Sequence, residues 1–202
     1  MTYTVHEIFH TLQGEGANSG RSAVFVRFAG CNLWSGREQD RDTATCRFCD
    51  TEFRKGARYS LAELIAEILT FEGPKLVVFT GGEPALQLDQ PLVDELHRCY
   101  GYEVAIETNG TQAIPDVQWT CVSPKAGTQI VVRQADELKL VFPQGPGLTP
   151  EHAMSVIEAK HLWLSPMDGP QWAENVKAAI DYVKSDSRWR LNIQAHKFWG
   201  IR

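Results

Sequence analysis

Apolar residues in this chain recur in short runs, separated by longer stretches with helical spacing. Val24-Phe-Val-Arg-Phe-Ala29 and Lys75-Leu-Val-Val-Phe79 are rich in β-branched and aromatic residues and too short for helices, so they predict strands. The same reading places strands at Glu103–Glu107, Gln118–Val122, Leu138–Phe142, His161–Leu164 and Arg190–Gln194. Helical patterns fall between several of them. Ser60-Leu-Ala-Glu63 is a capping box that opens a helix running through Ile68. Leu88–Tyr100 is amphipathic, and Gln171–Lys184 carries a further helical pattern. Thr149-Pro-Glu151 opens another helix, with proline where its missing N–H costs nothing. Strands alternating with helices predict parallel βαβ units in an α/β fold. The 202 residues fall short of the roughly 250 of a closed eightfold barrel. The expectation is therefore an open or partial (β/α) barrel with parallel strands. It forms one domain over residues 1–202, with an insert at 32–45. In such folds ligands sit at the C-terminal ends of the strands.

Composition narrows the function classes. An apolar fraction of 43% with 22% charged residues is that of a globular protein with a real core. A net charge of -5 without a basic run argues against direct nucleic-acid binding, which needs phosphate-neutralising lysines and arginines. No 18-residue apolar run exists, so no membrane span is expected. The segment Met1–Glu7 lacks the regions of a signal peptide. A cytoplasmic location follows as the default, and there the five cysteines read as ligands or core residues rather than disulfides. Cys99 and Cys121 fall in helix and strand patterns and read as small buried apolar residues.

The remaining three, Cys31, Cys46 and Cys49, form a C-x14-C-x2-C pattern. Gly30 allows a sharp turn before the first, and the polar insert before the second predicts a flap or short helix. Structural zinc takes four protein ligands, and no second C-x2-C or H-x3-5-H is present. A cubane [4Fe–4S] cluster also takes four thiolates, and three leave one iron open. Taken alone, the triplet leaves zinc and iron–sulfur open.

Thr80-Gly-Gly-Glu-Pro84 follows the strand Lys75–Phe79. A three-cysteine loop with a GGEP-type turn resembles the radical S-adenosylmethionine superfamily. There the cofactor's amino and carboxylate groups chelate the open iron. The long first cysteine gap narrows this further. With Phe9-His-Thr-Leu-Gln-Gly-Glu-Gly16, Cys49-Asp-Thr51, Glu107-Thr-Asn-Gly110, Ser123-Pro-Lys125, Trp163-Leu-Ser-Pro-Met167 and Gln194-Ala-His-Lys197, the chain resembles the 7-carboxy-7-deazaguanine synthase family of queuosine biosynthesis nearly end to end.

That resemblance implies a radical SAM fold and a lyase reaction. The reaction converts 6-carboxy-5,6,7,8-tetrahydropterin to 7-carboxy-7-deazaguanine with loss of ammonia. It implies a [4Fe–4S] cluster on Cys31, Cys46 and Cys49, S-adenosylmethionine, and Mg²⁺ on Thr51. It further implies a homodimer, with flavodoxin or ferredoxin as electron donor. The cofactor would lie against Phe48, Cys49 and Asp50. Gly82 and Glu83 would hold its methionine end, Ser123, Pro124 and Lys125 its ribose or carboxylate, and Trp163, Leu164, Ser165 and Pro166 its adenine. The pterin would meet Leu12, Gln13, Gly14, Arg27, Thr80 and the main-chain carboxylate of Arg202. Arg27 has a reading independent of the resemblance. An arginine in an otherwise apolar strand needs an anion, either a carboxylate ligand or a structural salt bridge. Glu15 could pair with a guanidine-like edge or remain a solvated charge. Two other readings are a radical activase acting on a partner protein, which leaves the long insert unexplained, and a non-catalytic zinc module, which leaves the GGEP, ETNG and SPK segments as coincidences.

Overall fold

The structure is a computed structural model and describes residues 2–202. One nine-stranded sheet runs through the chain: β1 (Thr2–Leu12), β2 (Ser22–Phe28), β3 (Ala57–Ser60), β4 (Leu76–Gly81), β5 (Glu103–Thr108), β6 (Trp119–Val122), β7 (Gln134–Phe142), β8 (Glu158–Pro166) and β9 (Trp189–Leu191). The spatial order is β3-β1-β2-β4-β5-β6-β7-β8-β9. From β2 through β9 in this order every neighbouring pair is parallel, and β1 alone runs against the rest. Sequential neighbours with crossovers on one side make a barrel-like wall, and the two edges, β3 and β9, leave it open. The helices are α1 (Leu61–Leu69), α2 (Gln90–Asp94), α3 (Pro150–Val156), α4 (Trp172–Ser185) and α5 (Ala195–Trp199).

Alternation along each strand sorts side chains to two faces. Val24, Val26 and Phe28 of β2 join Val77 and Phe79 of β4 and Val104 and Ile106 of β5 in a core shared with α1 and α2. Val122, Leu138, Leu140 and Leu164 make the corresponding core with Ala153 of α3 and Ala179 of α4. The opposite face looks into the barrel. Its lower part is filled by Ala23, Leu76, Val78 and Ala105. Toward the strand C-termini the inward positions become polar, with Arg27, Thr80, Glu107 and Lys139. The fill below and the polar rim above determine where a ligand can enter.

Several elements differ from their sequence expectation. β1 and β3 have no apolar run to announce them. In β1 a bulge between Val5 and Glu7 breaks the alternation. Tyr3, Val5 and Ile8 face the helices, while Glu7 and Phe9 face inward. The helix expected over Leu88–Tyr100 is α2 followed by a wider π-type turn, Glu95–Cys99. Cys99 is exposed there rather than buried, while Cys121 is buried as expected. The strand expected at Arg190–Gln194 ends at Leu191, and His196 and Lys197 lie in α5. The insert holds a short 3-10 helix, Glu38–Thr43.

The open side is bridged by loops. Ala195 N–H donates to the Gly14 carbonyl at 3.0 Å, and Gly16 N–H donates to Asn192 Oδ1 at 2.9 Å. A Cβ on Gly14 would stand 2.6 Å from His196 Nδ1, so glycine is what lets α5 close against the turn after β1.

Candidate active site

Two joined cavities open at the C-terminal ends of the parallel strands. The first, about 230 Å³, lies above β4–β8 and is walled by Cys31, Cys46 and Cys49. The second, about 310 Å³, lies between β1, β2 and α5 and is walled by Arg27 and Arg202. Glu15, Asp50, Thr51, Thr80, Glu107 and Gln194 line both. Ligands in the two cavities would touch across this shared boundary.

Cys31 follows β2 through Gly30, and the C-terminal end of β4 lies directly against it. Gly82 N–H donates to the Phe28 carbonyl at 3.2 Å, and Glu83 N–H to the Gly30 carbonyl at 2.9 Å. A Cβ on Gly82 would be 2.0 Å from the Gly30 oxygen. The glycines after β4 thus bring this segment against the cysteine loop itself. Glu83, expected to meet an ammonium group, does not line the cavity. Its carboxylate is fully buried and accepts from Thr108 Oγ1 at 2.6 Å, Asn109 N–H at 2.7 Å and Ala85 N–H at 3.0 Å. It ties the end of β4 to the end of β5, and burial raises its pKa despite those three donors.

The thiols are electrostatically distinct. A hydrogen bond from Cys46 lowers Cys49 to about 6, with the Thr51 N–H and hydroxyl adding to it. The same bond, followed by burial, raises Cys46, and burial raises Cys31. Lys125 Nζ donates to the Ser123 carbonyl at 2.6 Å and to its hydroxyl at 2.8 Å. Burial lowers the Lys125 pKa, opposed by the thiols of Cys46 and Cys49 nearby. Three thiols on one cavity wall, one of them biased toward the thiolate that iron takes, with a buried ammonium beside them, fit an iron–sulfur cluster. Among the described residues no three His, Cys, Asp or Glu side chains group tightly enough for a single ion. A cubane places each thiolate on its own iron and does not require such a grouping.

In the second cavity Arg27 Nε bonds Glu7 at 2.8 Å, with its side chain one-fifth exposed. Its two terminal nitrogens have no partner among the described residues, so the salt bridge orients the guanidinium and leaves a fork directed at the cavity. Glu7 also holds the Arg202 guanidinium, which lies 4.9 Å over Phe9, and Thr11 Oγ1 donates to the Arg202 main-chain oxygen at 2.7 Å. Gln13 is committed internally: its Nε2 donates to Glu107 at 2.8 Å and its Oε1 accepts from Glu15 N–H at 3.1 Å. Leu12 and Gly14 line the same cavity.

Beneath the shared boundary lies a charged triad. Lys139 Nζ donates to Glu15 at 2.6 Å and to Glu107 at 3.0 Å. Burial opposes the Lys139 charge, but the two carboxylates outweigh it and hold its pKa well above the ordinary value. Burial likewise opposes ionised Glu15, and Lys139, helped by a Gln194 hydrogen bond and by His196, outweighs it and leaves Glu15 low. Lys139 is thus a fixed cation between two carboxylates.

Most residues expected at the site reach a cavity wall. Phe48, Gly82, Ser123, Lys125, Ser165 and Pro166 line the first, and Asp50, Thr51 and Thr80 both. Besides Glu83, three do not. Strand alternation turns the Leu164 side chain into the helix-facing core. Trp163 lies under the Arg190 guanidinium, 5.7 Å away, outside the wall. Pro124 faces away toward α3. Glu107, Lys139, Asn109, Asn192 and Gln194, for which the sequence predicts no role, all line the first cavity. Lys139 carried a legible signal, a lone cation in the apolar run Leu138–Phe142, as Arg27 did in β2.

Residues 43–117 match the Radical SAM superfamily. The chain is 50% identical to 7-carboxy-7-deazaguanine synthase from Bradyrhizobium diazoefficiens and 51% identical to that from Nitratidesulfovibrio vulgaris, each over all of both chains. The crystal structure of QueE from Escherichia coli superposes with a TM-score of 0.73 at 25% identity, covering 97% of this chain and 95% of that one. With its cysteine loop, its partial barrel and full-length identity of about one residue in two, this chain belongs to the 7-carboxy-7-deazaguanine synthase family of radical SAM enzymes.

Proposed function

We propose that this chain converts 6-carboxy-5,6,7,8-tetrahydropterin to 7-carboxy-7-deazaguanine with loss of ammonia, acting as one domain. The observation that carries this reading is the pair of joined cavities, thiols on one wall and a half-free arginine fork on the other, meeting at Thr51, Thr80 and Glu107. Family membership implies a [4Fe–4S] cluster and S-adenosylmethionine. Cys31, Cys46 and Cys49 would hold the cluster, and the Gly81–Gly82 segment, Ser123, Lys125 and Ser165 would surround the cofactor. Together these groups supply hydrogen-atom abstraction once an electron is delivered.

The protein's own part is binding and orientation. The terminal nitrogens of Arg27 suit a carboxylate in a bidentate pair. Glu15 and Glu107, with only one cation between them, offer acceptors to an N–H edge such as that of a pterin. Leu12 and Gly14 offer a wall and main-chain groups, and Arg202, which lines the same cavity, would bring its main-chain carboxylate to the substrate. Thr51 supports an Mg²⁺ site because it lines both cavities and its hydroxyl is a hard oxygen donor. A homodimer and a flavodoxin or ferredoxin donor complete the reading.

Anaerobic reconstitution followed by assay with the carboxypterin tests it. Four irons per chain, reductive cleavage of S-adenosylmethionine and a deazaguanine product are expected. Cleavage without that product would remove the substrate assignment. An unchanged Mg²⁺ response in Thr51→Ala would remove the metal assignment.

A further inference from the structure

Fourteen residues separate Cys31 from Cys46, and their conformation converges on one side chain. Arg41 lies in the short helix Glu38–Thr43. Its Nη1 donates to the Arg47 carbonyl at 2.6 Å and to the Cys49 carbonyl at 3.1 Å. Its Nε lies 2.8 Å and 2.9 Å from the two Glu38 carboxylate oxygens. The guanidinium carbon stands 4.2 Å above the Trp34 ring. Trp34 is itself fixed: it is buried, its Nε1 donates to the Arg37 carbonyl at 3.2 Å, and its ring meets Phe53 edge-on at 5.7 Å. The arginine fork is thus held by a ring below and a carboxylate beside it, and it is aimed at two carbonyls.

Those carbonyls belong to the turn that carries Cys46 and Cys49. Among the described residues, no main-chain hydrogen bond ties residues 46–51 to the rest of the protein. The segment that presents two of the three thiols is therefore without sheet or helix support. Its main chain is gripped from outside by Arg41. Planar geometry matters here, since one guanidinium can stack on an aromatic ring while its nitrogens serve separate acceptors, which an ammonium cannot reproduce.

We propose that Arg41 is the positioning residue of the cysteine turn: it clips the Arg47 and Cys49 carbonyls so that the two thiols face the cavity before any cluster is bound, and the insert exists to deliver it. The inference deepens the cluster reading above and rests on it for its second arm only.

The first arm uses the full chain without cluster. Thiol–disulfide exchange of Cys46 and Cys49 with an excess of a small disulfide, read by peptide mass mapping, is compared in wild type, Arg41→Met, Arg41→Lys and Glu38→Gln; Cys46 is buried, so its exchange reports release of the turn. Arg41→Met is expected to speed exchange there by about tenfold, as the two carbonyl contacts are lost and the turn opens, with the buried Cys121 thiol unaffected. Arg41→Lys should fall between, and Glu38→Gln should stay near wild type because the carbonyl contacts remain. The second arm follows iron loss to a chelator after reconstitution, expected to be faster in the same order. Wild-type exchange and iron retention in Arg41→Met would overturn the proposal. So would Glu38→Gln as damaged as Arg41→Met, since the ion pair rather than the carbonyl grip would then be the cause. If wild type takes up no cluster, the cluster reading fails, and the exchange arm still decides what Arg41 does. If Arg41→Met does not fold, the Lys and Gln variants decide by the same ordering.

Discussion

Lys139→Met tests the buried charge triad directly. Methionine keeps much of the lysine stem but removes the only cation between Glu15 and Glu107. The side chains of Lys139, Glu15 and Glu107 are 10%, 16% and 23% exposed, so the two carboxylates would be stranded with little water. Removing one partner of a buried ion pair costs about 3–5 kcal/mol, and the partial exposure of Glu107 places this case near ~3 kcal/mol. For a chain of this size that corresponds to a melting temperature lower by about 6–12 °C. The effect should depend on pH. In wild type Glu15 is held low, so its contribution is present above its unfolded pKa and lost as pH falls through the folded value. In the variant burial, the largest influence on that carboxyl, is opposed only by the Gln194 hydrogen bond and His196, and the carboxyl rises. Its contribution is then full below the unfolded pKa of about 4.3 and lost as pH rises toward the raised value. The deficit relative to wild type should therefore be small near about pH 5 and full near about pH 8. Thermal melts across that range measure it, and adding Glu15→Gln and Glu107→Gln should restore stability. A deficit equal at both ends of the range would show that packing, not charge, is what Lys139 supplies.

Other substitutions probe the cavities. Gly82→Ala sets a methyl against the Gly30 carbonyl, so cluster uptake and melting temperature should both fall although no ligand is touched; uptake like wild type would show that the cysteine loop can yield. Arg27→Lys keeps the charge but loses the fork, and should raise the KM for the carboxypterin more than it lowers kcat. An unchanged KM would leave only the Glu7 salt bridge as its role. Extending the chain beyond Arg202 displaces the group anchored by Thr11 and Glu7, and should weaken substrate binding while cofactor cleavage persists, as separate assays would report.

The central parallel strands were legible because they are buried on both faces and read as near-continuous apolar runs, as in Leu76–Phe79, whereas the short edge strand β9, with its exposed Arg190, has no such run. β1 was not, because its bulge switches the apolar positions from one face to the other, and an alternation broken midway has no period to detect. The cysteine spacing and the GGEP turn marked the site without showing its construction. Glu83 stood out as a charge beside glycines, yet local sequence cannot say that Thr108 and Asn109, on the next strand, would occupy it.

By itself the sequence determined the α/β class, the grouping of Cys31, Cys46 and Cys49, the family and Arg27 as a strand charge in need of an anion, since all of these are properties of residue type and spacing along one chain. Tertiary structure decided which of those residues face a ligand and which brace the wall. That is a matter of pairing across distant strands. Lys139 becomes a fixed cation only because Glu15 and Glu107, from two other segments, meet it in a space that excludes water. Gly82 is constrained by the Gly30 backbone, and the long cysteine gap takes its meaning from where Arg41 lands. None of these contacts has a period or a motif; each exists because the barrel brings separate strand ends to one rim.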